Sequence, residues 1–206
     1  MKLRHLKLFN YRNYEQTEIR TDSNVNLIVG PNAQGKTNLL ESIYVLALTK
    51  SHRTQKDKEL IHWDKKQAMI HADIEKKYGN LTLDLRISSQ GKSAKLNGLE
   101  QRKLSDFVGA LNVVMFAPED LEIVKGSPGI RRRFLDMEIA QVIPSYLFQV
   151  QQYQKILIQR NNYLKGIQHD SAINENMIEV WNQQLAEYGS KIMKSRQNFI
   201  INLQKW

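Results

Sequence analysis

Eight consecutive residues carry the most specific chemistry in this chain. Gly30-Pro31-Asn32-Ala33-Gln34-Gly35-Lys36-Thr37 fits G-x-x-x-x-G-K-[ST] at every fixed position. Glycines at those positions let successive backbone N–H groups turn inward and form an anion-binding nest. Lys36 offers an ammonium to β- and γ-phosphates, and the Thr37 hydroxyl suits one coordination site of Mg²⁺. A helix opening at this point adds its positive N-terminal end to the same phosphates. The chemistry implied is cradling of a nucleoside triphosphate; the plainer alternative is a glycine turn that opens an ordinary helix.

The flanking elements should follow the order strand, loop, helix. Asn24 to Val29 is a short apolar run rich in β-branched residues, which predicts a buried strand. Leu39, Leu40, Ile43, Leu46 and Ala47 recur at helical spacing, predicting a helix from Lys36 to about Thr49. Further strands are expected at Leu6 and Leu8, at Glu15 to Arg20, and at two alternating runs, Ala68 to Ile74 and Leu81 to Ile87. Tyr78-Gly79-Asn80 joins the last two as a hairpin, and Asn97-Gly98 is a second two-residue turn. Lys50 to Lys66 reads as an exposed loop, and Asn112 to Phe116 as a buried strand. After Pro118 the pattern turns helical. Ser127-Pro128 offers an N-cap and a proline at N1, opening a helix to about Gln141. A second helix runs from Pro144-Ser145 to about Lys165, closed by Gly166, and a third from about Asn176 to the end. Tyr146, Val150, Tyr153, Leu157 and Leu164 form one seam; Trp181, Leu185, Tyr188, Ile192, Phe199 and Leu203 form the other. These predict either an antiparallel coiled-coil-like arm or two core helices of a globular lobe. The expected division is a P-loop lobe over residues 1–125 and a helical arm over residues 126–206.

Thirty basic residues against 21 acidic give a net charge of +9, a balance that favours a polyanionic partner, although the surplus is spread rather than gathered in one block. The absence of cysteine excludes disulfides and thiolate chemistry. The five histidines show no spacing of the H-x-x-x-H kind that marks a metal site. No apolar stretch is long enough to span a bilayer, and the N-terminus lacks a signal peptide's apolar core, so no membrane role and a cytoplasmic location are expected.

At the level of whole blocks the chain resembles the N-terminal portion of the bacterial RecF family, the SMC-like, ABC-type recombination mediator ATPases. The resemblance rests on Leu8 to Tyr14, on Gly30 to Glu41 (which extends the loop through Asn38), and on Ser51-His52-Arg53-Thr54. It continues through Phe116 to Leu121, Val124 to Pro128, Arg131 to Asp136 and Gln159 to Asn162. It implies an α/β fold, a P-loop NTPase of ABC/SMC-head type with a mostly helical second domain or arm, using ATP and Mg²⁺. Arg12 then corresponds to an arginine beside the nucleotide, the alternative being a strand-end surface residue. Arg53 corresponds to an exposed basic residue near DNA, or to a plain loop arginine. Glu119 or Asp120 would hold a magnesium water, or simply cap a helix. Arg131, Arg132 and Arg133 would contact DNA phosphates or brace the arm.

The resemblance also implies partners: DNA at single-strand/double-strand junctions, RecR and RecO, and a second copy joined in an ATP-dependent homodimer. The implied setting is gap repair, DNA replication and the SOS response, with slow DNA-stimulated ATP hydrolysis. An ABC ATPase further needs a Walker B strand ending in paired acids and a signature loop. Neither Leu81-Thr82-Leu83-Asp84 nor Val113-Val114-Met115-Phe116 supplies that pair. The expectation is a chain that corresponds to part of a longer protein and binds nucleotide without hydrolysing it. The rivals are a non-enzymatic scaffold or interaction module and, more distantly, a small-molecule P-loop kinase with Arg131 to Arg133 as its lid.

Overall fold

The computed structural model describes residues 1–22, 24–167 and 175–205, without the side chains of Glu119, Ile167 and Glu175. It divides into two compact units, Met1–Phe116 and Ala117–Trp206.

The first unit is built on alternation. Strands β1 (Lys2–Tyr11), β2 (Tyr14–Arg20), β3 (Gln67–Lys76), β4 (Gly79–Ser88), β5 (Gly91–Leu96) and β6 (Leu99–Glu100) form one six-stranded sheet in the order β2-β1-β3-β4-β5-β6. Every pairing is antiparallel. Leu6 and Leu8 on β1, Ile70, Ala72 and Ile74 on β3, and Leu83, Leu85 and Ile87 on β4 are all buried. Their period of two turns one face of the sheet into the core. Helix α1 (Lys36–Leu48) packs on β3 and β4 through buried Leu39, Val45, Leu46, Ala47 and Leu48. The Tyr78-Gly79 and Asn97-Gly98 turns form where the sequence predicts them, with Asn97 in the left-handed region (φ 48°).

Two expectations fail. Neither Asn24–Val29 nor Asn112–Phe116 is a strand. Val25 is 83% exposed, Leu27 85%, Val114 95% and Phe116 85%. β-branched composition signals a strand meant for burial, but burial requires neighbouring strands on both sides. Among the described residues, the antiparallel sheet supplies none for these runs. The expected exposed loop at 50–66 also departs from its reading. It contains a short 3₁₀ turn (Asp57–Leu60), and Ser51 and Leu60 are buried. The Arg12 N–H donates to the Leu60 carbonyl at 2.9 Å and the His62 N–H to the Asn10 carbonyl at 2.8 Å, so the segment is strapped to the end of β1.

The second unit is helical: α2 (Glu122–Lys125), α3 (Pro128–Val142), α4 (Pro144–Ile167) and α5 (Glu175–Leu203). Ser127 takes the N-cap position with extended backbone, though its hydroxyl makes no capping bond, and Pro128 begins α3. α4 is described to Ile167, with Gly166 in its last turn, close to the expected end. Facing residues fix α4 and α5 as an antiparallel pair. Tyr163 meets Trp181 edge-on at 5.1 Å, Arg160 donates to Asn182 at 3.0 Å, and Tyr153 lies where a Cβ on Gly189 would sit 3.3 Å away. Of the expected seam residues, Tyr153 and Trp181 lie at this contact, joined there by Tyr163 and Arg160 from outside the seam, while Leu203 is exposed. α3 joins them through Asp136, which accepts two bonds from Arg196 (both 2.8 Å) and one from the buried Tyr146 hydroxyl at 2.5 Å.

Candidate nucleotide site at the Gly30–Thr37 loop

Beyond Gly30 at its start (φ 154°), the loop curls because two of its residues enter the left-handed region. Ala33 sits at φ 64° and Gly35 at φ 97°. Alternation of hand is what points neighbouring N–H groups to one side and makes a nest. Glycine is favoured at position 35 by its backbone conformation, and any added Cβ would displace the ends of neighbouring side chains. The φ there disfavours any side chain, and a Cβ would lie 2.6 Å from Asn13 Nδ2 and 2.9 Å from the Tyr14 hydroxyl. Gly35 is also the N-cap of α1, whose first turn contains no acidic residue. The helix therefore presents its free N–H groups and positive end without a competing carboxylate.

Lys36 folds back over the loop, its Nζ donating to the carbonyls of Gly30 (2.8 Å) and Pro31 (2.5 Å). An ammonium held by neutral carbonyls at the mouth of a nest is placed to exchange them for an anion. Thr37 is exposed at the first turn of α1, as are Pro31, Asn32, Ala33 and Gln34 in the loop. This donor set fits the tail of a nucleoside triphosphate, and the exposed Thr37 hydroxyl is a residue that could hold a cation.

Behind the loop lies a polar clamp. Arg12 Nε donates to Glu41 Oε2 at 2.9 Å and Nη2 to Oε1 at 2.7 Å, a bidentate pair, while Nη1 donates to the Glu59 carbonyl at 2.8 Å. Glu41 is fully buried on α1 and also accepts from the Ser51 hydroxyl at 2.6 Å. Burial alone would raise the Glu41 carboxyl. The bonds from Arg12 and Ser51 and the charges of Arg12 and Arg53 outweigh it and hold the group below its ordinary range. Burial first, and the Glu41 charge second, push the neighbouring Tyr11 phenol well above its ordinary value. Arg53 Nη1 donates to Asn38 Oδ1 at 2.8 Å and lies 3.7 Å from Glu41. Asn38 Nδ2 donates to Asn13 Oδ1 at 2.8 Å, and Asn13 Nδ2 reaches the Gln34 carbonyl at 3.4 Å. The clamp thus runs unbroken from Arg12 through Glu41, Arg53, Asn38 and Asn13 back to the loop.

The residues singled out from sequence fall into two groups. Gly30 to Thr37, Asn38, Arg12 and Arg53 come together in the first unit. Arg12 is held by Glu41 and is not a bare surface residue at a strand end; Arg53 is likewise tied to α1. The other candidates lie in the second unit. Asp120 Oδ2 accepts from the Ala117 N–H at 2.8 Å, closing the turn at Pro118–Leu121. The Glu119 side chain lies outside the described residues. Arg131 Nη1 donates to the Gly126 carbonyl at 2.9 Å and caps α2, while Arg132 and Arg133 are exposed on α3. Asp84 faces His71 on the sheet at 2.8 Å, so Leu81–Asp84 belongs to a hairpin. Sequence reasoning assigned no role to Glu41, Ser51 or Asn13. A carboxylate among the apolar residues of α1 signals a buried partner, but nothing in the spacing identifies Arg12, 29 residues earlier, as that partner.

Comparison with known proteins identifies the chain's family. The model of the RecF/RecN/SMC N-terminal domain matches residues 2–121. The DNA replication and repair protein RecF of Bacillus cereus strain G9842 is 54% identical over all 206 residues, which make up 55% of its length. The RecF of Bacillus anthracis strain CDC 684 is 54% identical over the same span. The chain therefore spans about half the length of the curated relatives it matches. A solved structure of the recombination mediator RecF with ATP, from the RecFOR pathway, superposes with a TM-score of 0.93. It is 34% identical and covers 98% of this chain and 55% of that one. A second, described as RecF-ATPrS, gives the same TM-score at 33% identity over 99% of this chain. The α/β P-loop architecture is shared with them. On the strength of the match over residues 2–121, the chain belongs to the RecF/RecN/SMC N-terminal domain family.

Proposed function

We propose that this chain binds ATP with Mg²⁺ through the Gly30–Thr37 loop and serves as the nucleotide-holding part of a DNA replication and repair ATPase. The observation that carries the reading is the loop itself: two left-handed residues, an acid-free helix start and a lysine folded over the mouth. The loop amides and Lys36 hold the β- and γ-phosphates, and Thr37 takes a cation site. Mg²⁺, when bound, neutralises charge on the phosphate oxygens. Arg12 acts from behind, fixing α1 and the loop through Glu41.

The relatives are DNA replication and repair proteins, which supports a wider DNA-directed reading. DNA at single-strand/double-strand junctions would meet Arg53 and the exposed Arg131–Arg133 segment. ATP would join two copies into a homodimer, and RecR and RecO would dock on the assembled platform during gap repair and the SOS response. The +9 net charge suits such a polyanion. Calorimetric titration tests the core of this reading. Wild-type protein should bind ATP, and Lys36→Ala should lose that binding while its thermal melt stays unchanged. Normal ATP affinity in Lys36→Ala would sink the assignment.

The exposed apolar runs favour one second reading. Val25, Leu27, Val114 and Phe116 are exposed apolar side chains that partner strands or another copy would cover. A non-enzymatic scaffold would associate through them regardless of nucleotide.

A further inference from the structure

The sheet face opposite the core carries a cluster unconnected with the nucleotide loop. With Leu6, Leu8, Ile70, Ala72, Leu83 and Leu85 turned inward, alternation puts His5, His71, Asp73 and Asp84 on the other face. A bulge sharpens the alignment. Leu3 pairs with Ile74, but His5 pairs with Asp73, leaving Arg4 as the extra residue. Bulges re-aim side chains. Here the shift sets an imidazole opposite Asp73 and sends Arg4 to Glu75, 2.6 Å away.

Each imidazole in the cluster is used at both nitrogens. His5 Nδ1 lies 3.1 Å from Asp73 Oδ2, and its Nε2 lies 2.6 Å from Glu18. His71 Nε2 lies 3.6 Å from Asp73 Oδ1, and its Nδ1 lies 2.8 Å from Asp84. Both rings thus aim one nitrogen at a shared carboxylate while an outer carboxylate holds the other. The donor atoms of His5, His71 and Asp73 all lie within 4.8 Å of one another. Tetrahedral zinc, with bonds of about 2.0–2.1 Å, needs donors roughly 3.3 Å apart, so small side-chain rotations would close the set. Histidine ligands of zinc characteristically donate their second N–H to a carboxylate, as Glu18 and Asp84 are placed to accept. The rings are half-buried and the Asp73 side chain is 45% exposed, leaving a path for an ion and a water. Lys7 and Arg20 approach Glu18, one outer acid, at 3.8 and 3.6 Å, and Lys95 stands across β5 from Asp84, the other.

We propose that His5, His71 and Asp73 bind one divalent transition-metal cation of zinc type, clipping β1 to β3, with Glu18 and Asp84 orienting the two rings and a solvent molecule completing the shell. The five histidines give no hint of this in sequence, because the pairing of β1 with β3 joins residues 66 positions apart.

Chelator-stripped, nucleotide-free protein is titrated with Zn²⁺ by calorimetry and with Co²⁺ by visible absorption. Expected are one ion per chain and intense cobalt d–d bands. Asp73→Asn and His71→Gln should weaken zinc binding by 100-fold or more, and Asp84→Asn by about 10–100-fold, as outer partners usually do. His62→Gln should leave it unchanged. Histidine side-chain NMR of the wild-type protein provides a readout that needs no variant: zinc should move the His5 and His71 ring nitrogens first. Unmoved rings, or affinity undiminished in Asp73→Asn, would reduce the cluster to a proton-bridged network and overturn the proposal.

Discussion

Two residues around the phosphate loop have roles that side-chain chemistry makes specific. Gly35 stands where left-handed backbone, the start of α1 and the close approach of Asn13 coincide. Gly35→Ala should therefore cost roughly 1–3 kcal/mol of stability from backbone strain, and lower ATP affinity by at least tenfold. Thermal melts and calorimetry on one preparation read both effects, and unaltered ATP binding would show that the loop tolerates another shape. Arg12 poses a different problem, since its guanidinium is engaged by Glu41 and the Glu59 carbonyl. Removing one member of a buried pair leaves an uncompensated charge, so Arg12→Ala should destabilise by about 3–5 kcal/mol. Adding Glu41→Gln should recover part of that loss, and a double-mutant cycle in urea measures the coupling. The P-loop motif was fully legible in the sequence because its function fixes residue types at fixed spacing. The clamp was not. Its members, Arg12, Asn13, Asn38, Glu41, Ser51 and Arg53, meet only after β1, α1 and the 50–66 segment are brought together.

Elements respond to pH through the same carboxylate. The Glu41 carboxyl is held below the ordinary glutamate value of 4.5, so near and below that value an unfolded chain takes up a proton that the folded chain refuses. The stabilisation is complete above about pH 4.5 and drains away as the pH falls through the folded value. Denaturant midpoints measured down from neutral pH should show this loss in wild type and a shallower acid limb in Glu41→Gln; matching limbs would remove Glu41 from the account. In the helical unit the comparable fixture is Asp136, where Arg196 and Tyr146 tie α5 and α4 to α3. Asp136→Asn leaves Arg196 without its charge partner and should lower the melting temperature of the helical unit, followed by circular dichroism. Helices and hairpins were legible in sequence because their signals are local: alternating leucines, Tyr78-Gly79, Asn97-Gly98, Ser127-Pro128 and the aromatic seams. Asn24–Val29 and Asn112–Phe116 misled for the opposite reason. Their composition describes an intended environment, and a strand forms only where neighbours supply it.

At the scale of the whole molecule, two facts bear on the proposed nucleotide function. The P-loop unit is built to hold phosphate, yet among the described residues no apolar strand ending in paired acids stands ready to activate water. It also leaves Val25, Leu27, Val114 and Phe116 open to solvent. Burial of apolar surface stabilises at about 25 cal/mol per Å², so such side chains will seek cover wherever it is offered. If ATP joins two heads, the association must depend on the phosphate loop. If apolar runs join them, it must depend on those side chains instead. Sizing by light scattering with and without ATP, on wild type, Lys36→Ala and Phe116→Glu, separates the two. A nucleotide-gated platform predicts a dimer with ATP that Lys36→Ala abolishes and Phe116→Glu spares. Association without ATP that Phe116→Glu disrupts would make the open strand runs the determinant, and ATP-gated dimerisation would have to be given up for this chain.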